Sequence, residues 1–165
     1  FKGGAKPITI RVSDVDRAAP HGTGDIKAGL NYAMSLNNIV DAHEKGFDEN
    51  MYLDPQTRTK VEETGGANFI FITKDGKLVT PKSNSMQVEH REVYKEELKD
   101  FAECGLCGTA AVISPVGKIV DHGEEICFPS GMEKMGPYTK KLYDTLTGIQ
   151  MGEIEAPVGW ICDIK

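Results

Sequence analysis

At 165 residues the chain can bury one core, and a composition 39% hydrophobic and 27% charged excludes the disordered and fibrous classes. Against 25 acidic residues there are 19 basic ones. The resulting net charge of −6 argues against nucleic acid or an anionic membrane as partner, because both need clustered Lys and Arg. No apolar run approaches the ~20 residues of a membrane span. The opening Phe1-Lys2-Gly3-Gly4 has neither an initiator Met nor a signal-peptide core, so the chain is expected to be a fragment that begins inside a longer protein. The cysteines Cys104, Cys107, Cys127 and Cys162 are expected as free thiols in a reducing cytoplasm.

In chain order, Ile8-Thr9-Ile10-Arg11-Val12 alternates apolar and polar and predicts a strand. The turn formers Ala18-Ala19-Pro20-His21-Gly22-Thr23-Gly24-Asp25 follow as a loop. A helix is predicted over about 28–45, with Leu30, Ala33, Met34, Asn37, Ile39 and Val40 putting most of its apolar residues on one side, and Gly46 closing it. Met51-Tyr52-Leu53 is a short strand, and Asn68-Phe69-Ile70-Phe71-Ile72-Thr73 a β-branched and aromatic one. Lys74-Asp75-Gly76-Lys77 then reads as a hairpin turn, with Leu78-Val79-Thr80 returning and Pro81 stopping it. A short helix is expected over 96–101, and a strand in Ala110-Ala111-Val112-Ile113 that Pro115 ends. Tyr138, Leu142, Leu146 and Ile149 recur at helical spacing before Gly152. Strands and helices mix without a strict βαβ repeat, so the fold class is α+β in a single domain over 1–165. One junction is abrupt: Thr80-Pro81-Lys82-Ser83-Asn84-Ser85 should lead onward, yet Met86-Gln87-Val88-Glu89 reads as a strand at once.

Three segments carry chemistry. Lys27 stands behind the glycine-rich turn Gly22-Thr23-Gly24-Asp25, at a helix start and between small residues. Partial desolvation of such a lysine favours the neutral amine that attacks aldehydes. Tyr32, about one and a half helical turns on, can reach the same pocket. In Val61-Glu62-Glu63-Thr64-Gly65-Gly66 a carboxylate precedes two glycines, whose missing Cβ atoms let a flat ring approach, and a buried carboxylate there could hold a pyridine nitrogen protonated. Gly105-Leu106-Cys107-Gly108-Thr109-Ala110 combines glycine, a hydroxyl and backbone N–H groups that can form an anion nest. Singly, each has a plainer reading: a solvated surface lysine, a polar turn, a bulge at a strand entry.

In this order and spacing, Gly-Thr-Gly-Asp-x-Lys-x-Gly-x-Asn-Tyr, Glu-x-Gly-x-x-Asn-Phe and Gly-Thr-Ala-x-x-x-x-Pro-Val resemble the branched-chain amino acid aminotransferases, pyridoxal phosphate (PLP) enzymes of fold type IV. The resemblance implies that Lys27 binds PLP covalently and moves protons in catalysis, that Tyr32 meets the cofactor's phenolic oxygen, and that Glu63 pairs with its ring nitrogen. It also implies that Thr109 contacts the phosphate and that Ala110 lends a backbone N–H nearby. It further implies transamination of leucine, isoleucine and valine with 2-oxoglutarate, small-molecule partners and a cytoplasmic homodimer. No match appears to the family's N-terminal small domain, which supplies an arginine to the phosphate, nor to the phosphate-gripping segment expected after Ser85. Members of the same fold, the D-amino acid aminotransferases and aminodeoxychorismate lyases, share the lysine, glutamate and threonine; a truncated non-catalytic unit is the alternative from another class. Cys104-Gly105-Leu106-Cys107 lacks the second ligand pair of a zinc site and precedes a strand where a redox motif opens a helix, so no metal is expected.

Overall fold

The structure is a computed structural model and describes residues 5–24, 26–81, 89–109 and 112–161. Its frame is one mixed sheet ordered β2-β1-β7-β6-β3-β4-β5, with β8 also paired to β7. The strands are β1 (Ile8–Val12), β2 (Glu49–Met51), β3 (Asn68–Ile72), β4 (Leu78–Thr80), β5 (Glu89–His90), β6 (Glu103–Gly108), β7 (Val112–Asp121) and β8 (Glu124–Cys127). Helix α1 (Gly29–Glu44) connects β1 to β2, which are parallel, and β1 also runs parallel to β7. The pairs β7–β6, β6–β3 and β3–β4 are antiparallel. A 3-10 helix, Lys95–Asp100, leads into β6, and α2 (Pro137–Gln150) follows β8. The α+β expectation holds, and no described helix is long and apolar enough to cross a membrane.

The core forms where the strands turn their apolar residues inward. Ile10, Val12, Met51, Phe69, Phe71, Val79, Leu106, Val116 and Ile119 belong to one buried cluster that Val93, Leu98 and Phe101 close from the side. Phe71 stacks on Phe69 and on Phe101, with ring centroids 5.6 and 4.7 Å away. The Asp75-Gly76 hairpin stands as expected: Gly76 has φ 81°, a conformation that a side chain would strain, and Thr73 N–H donates to Lys77 O at 2.9 Å.

Two expectations need correction, and two helices take an orientation that the spacing left open. The strand placed at Met51-Tyr52-Leu53 lies earlier, at Glu49–Met51, because Tyr52 instead exchanges backbone hydrogen bonds with Glu62 and Glu63. Pro115 does not end β7. It pairs with Gly105 on one side, and the pairing of β7 with β1 begins only at Val116, so the proline occupies an edge-like position where its missing N–H is tolerated. In α2 the packed line runs through Thr139 and Ile149, and Tyr138 is exposed, because Thr139 is drawn to buried Glu103. Helix α1 turns inward with Asn31, Ser35 and Ala42, leaving Leu30, Met34, Leu36 and Val40 on its exposed side. The polar network of Asn38 supplies the docking: its side chain donates to Ser13 Oγ at 2.8 Å and Tyr52 OH at 3.1 Å, and its carbonyl accepts from Arg11 and Asn50.

Candidate active site

The loop after β1 runs along a cleft of about 1080 Å³ lined by Arg17, Gly22, Gly24, Glu62, Glu63 and Asn68 among others. That loop is held at several points. Ser13 N–H donates to Met51 O at 2.9 Å, and Arg58 Nη2 donates to Asp14 O at 2.9 Å and lies 2.7 Å from Asp16 Oδ1. Arg17 comes at its end, with its side chain only 14% exposed and its Nε 3.0 Å from Glu63 Oε1. The same Nε donates to Thr64 O at 3.2 Å, and the guanidinium carbon lies 5.6 Å from the centroid of the Tyr32 ring.

Glu63 is fixed from behind by its backbone, since Tyr52 N–H donates to Glu63 O at 2.9 Å. Buried Thr64 then makes the turn into β3: its hydroxyl donates to Ala67 O and accepts from Ala67 N–H, both at 3.0 Å. Burial pushes the Glu63 carboxyl up from its ordinary value, and the Arg17 charge pulls the other way. Glu62 is raised as well, first by burial and then by the neighbouring charges of Glu63, Asp54 and Asp16. A half-buried acid on a cleft wall, opposed by one guanidinium, is suited to pairing with a cationic ring nitrogen.

The other expected site residues fall as follows. Tyr32, on the first turn of α1, is 43% exposed and lies against the Arg17 guanidinium, so the structure gathers Tyr32 and Glu63 about one arginine. Lys27 follows the cleft-lining Gly24 closely in the chain, yet its side chain is exposed and does not line the cleft, so the expected partial desolvation is not met. The turn there is held by Asn31, whose Nδ2 donates to Thr23 O at 2.7 Å and Ile26 O at 2.8 Å. Thr109, exposed, follows β6 beside the Glu63 turn: a Cβ on the preceding Gly108 would lie 3.5 Å from both Ala67 Cβ and Gly66 O. Ala110 and the Ser85-Met86 junction lie outside the described residues. At the start of β7, Val112 takes φ 56°, a strained value for a β-branched residue.

Arg17 carried no weight in the motifs; its one sequence signal was a cation directly ahead of the Ala18-Ala19-Pro20 loop. Cys104 and Cys107 both lie on β6, opposite Phe71 and Asn68, and an offset of three along a strand puts the two thiols on opposite faces. Both are free, with Cys104 buried.

A family profile described as amino-transferase class IV matches residues 5–119. The chain belongs to that family. The class IV chain is 47% identical to the branched-chain-amino-acid aminotransferase of Haemophilus influenzae, over all of its own length and 55% of the relative's. Its fold matches the crystal structure of the Escherichia coli branched-chain amino acid aminotransferase with a TM-score of 0.76 at 29% identity, covering 94% of this chain and 55% of that one. The PLP-form enzyme of Thermobaculum terrenum matches at TM-score 0.73 and 27% identity, covering 92% of this chain and 53% of its own. This class IV chain thus spans about half the length of the curated relatives it matches.

Proposed function

We propose that this chain is the lysine-bearing part of a two-domain branched-chain amino acid aminotransferase, a cytoplasmic homodimer that exchanges the amino group of leucine, isoleucine or valine with 2-oxoglutarate. What carries the reading is the 47% identity to the Haemophilus influenzae enzyme across this whole chain. The cofactor of that activity is PLP, and the cleft fits its ring end: a half-buried carboxylate, Glu63, stands on a wall opposed by Arg17, in a space large enough for a flat heterocycle. When bound, PLP supplies the electron sink for the pair left behind as a substrate Cα loses its proton. With PLP bound, Glu63 would hold the proton on the ring nitrogen, Tyr32 would donate to the phenolic oxygen, and Thr109 with the Ala110 N–H would contact the phosphate. Lys27 would bind the cofactor and move the Cα proton as general base and acid.

The exposed lysine favours a second reading. Lys27 lies off the cleft lining, and the Haemophilus influenzae relative aligns over 189 residues against the 165 of this chain, so the relative carries an internal stretch that this chain lacks. A chain without that stretch would be a folded, non-catalytic unit. Adding PLP to the purified protein separates the two: covalent attachment gives an absorbance band that Lys27→Ala abolishes, and no band in a folded wild type favours the second reading. In the active enzyme, Lys27→Ala should cut turnover of leucine with 2-oxoglutarate by at least ~10²–10⁴-fold. Retained turnover removes Lys27 from the mechanism, and preference for D-alanine moves the assignment to the D-amino acid aminotransferases.

A further inference from the structure

We propose that Arg17 is a positioning residue, whose single guanidinium sets the Glu63 carboxylate and the Tyr32 ring relative to one another. Its importance for a cofactor rests on the reading above; the coupling itself rests on geometry. Nε stands 3.0 Å from Glu63 Oε1 and donates to Thr64 O at 3.2 Å, so the head group is tied both to the acid and to the backbone that follows it. Its guanidinium carbon lies over the Tyr32 ring, 5.6 Å from the centroid and within cation–π range. A side chain only 14% exposed has little room for another rotamer, and Arg58 restrains the loop behind it through Asp14 O and Asp16.

The charges around the wall show why a cation is needed there. Glu62 and Glu63 are adjacent, and Asp54 and Asp16 add negative charge felt at Glu62. The charge of Arg17 is felt at both glutamates, and at Glu63 it opposes the upward pull of burial. Arginine suits the place better than lysine, because a planar delocalised ion can meet a carboxylate at its edge and an aromatic ring on its face, whereas an ammonium is a point charge.

The test reads the coupling in the full chain without cofactor. With ¹³C-labelled glutamate carboxyls, and the Glu63 signal assigned through Glu63→Gln, Arg17→Met should move the Glu63 titration to higher pH. Arg17→Lys should bring it back toward wild type while leaving the Tyr32 ring signals displaced, since charge returns but the flat face does not. An identical Glu63 titration in wild type and Arg17→Met overturns the proposal. Should Arg17→Met fail to fold, Arg17→Lys decides alone: unchanged Tyr32 signals overturn it. Binding of PLP, measured separately, keeps the two claims apart. Equal affinity and spectrum in wild type and Glu63→Gln would sink the cofactor role of Glu63, and the shifted titration would still establish Arg17 as its partner.

Discussion

Glu103 shows how one buried carboxylate can place a helix. On β6, 4% exposed, it accepts from the backbone N–H groups of Tyr138 and Thr139 at 3.0 and 2.8 Å and from the Thr139 hydroxyl at 2.7 Å. It therefore occupies the N-terminus of α2, where N–H groups lack helical partners and the dipole favours an anion. The fit is close: a Cβ on Gly136 would collide with the Glu103 carboxyl. Glu103→Gln should cost about 2–3 kcal/mol of stability, because an amide cannot accept from all three donors. Urea unfolding measures this, and a midpoint equal to wild type would refute the role. Asp54 plays a similar part in a loop: burial pushes its carboxyl up, but bonds from Thr57, Thr59 and Lys60 outweigh this and hold it at about 2. Neither residue stood out in the sequence, where a lone acid within a strand or a turn looks like surface charge.

At the scale of elements, the β7–β8 hairpin is latched to the loop that carries Arg17. His122, in the turn, lies 2.6 Å from Asp121 Oδ1 and 2.8 Å from Asp14 Oδ1, while Lys95 pairs with Asp121 and Arg58 holds Asp14 O. The two carboxylates raise the His122 imidazole above its ordinary 6.5. A group raised on folding stabilises fully below its unfolded value and loses that contribution as pH rises through the folded one. Thermal stability should therefore fall as pH rises above about 6.5, with a flatter profile in His122→Ala. Salt should shrink the difference, since His122 and Asp14 are 63% and 79% exposed. Identical pH profiles in the two proteins would remove the latch. Helix α1 is the element whose existence was legible and whose orientation was not. Its spacing makes a helix with most of its apolar residues on one side, but the packed face is the one bearing Asn31, Ser35 and Ala42, where Asn38 meets Ser13, Tyr52, Arg11 and Asn50.

Across the whole molecule, the unmatched surface is the outer side of α1. Leu30, Met34, Leu36 and Val40 are 58%, 49%, 58% and 47% exposed, a set of large apolar side chains that a surface helix usually turns inward. The protein should bind an anilinonaphthalene sulfonate dye while folded, and Leu36→Lys should reduce that signal without lowering stability. Dye binding unaltered by Leu36→Lys would place the apolar surface elsewhere.

The sequence alone determined the local pieces. Alternation set β1, the Asp-Gly pair set the β3–β4 hairpin, and three spaced motifs pointed to class IV before any geometry. These depend on side-chain period and turn chemistry within a few residues, which a linear reading captures. Tertiary structure decided which strands pair across the sheet, why Pro115 sits inside β7, which face of α1 is covered, and that Glu63 finds Arg17 and Glu103 finds α2. Each of those contacts joins residues far apart in the chain. Their energy comes from desolvation and charge pairing that exist only once the sheet has closed, so no local pattern records them.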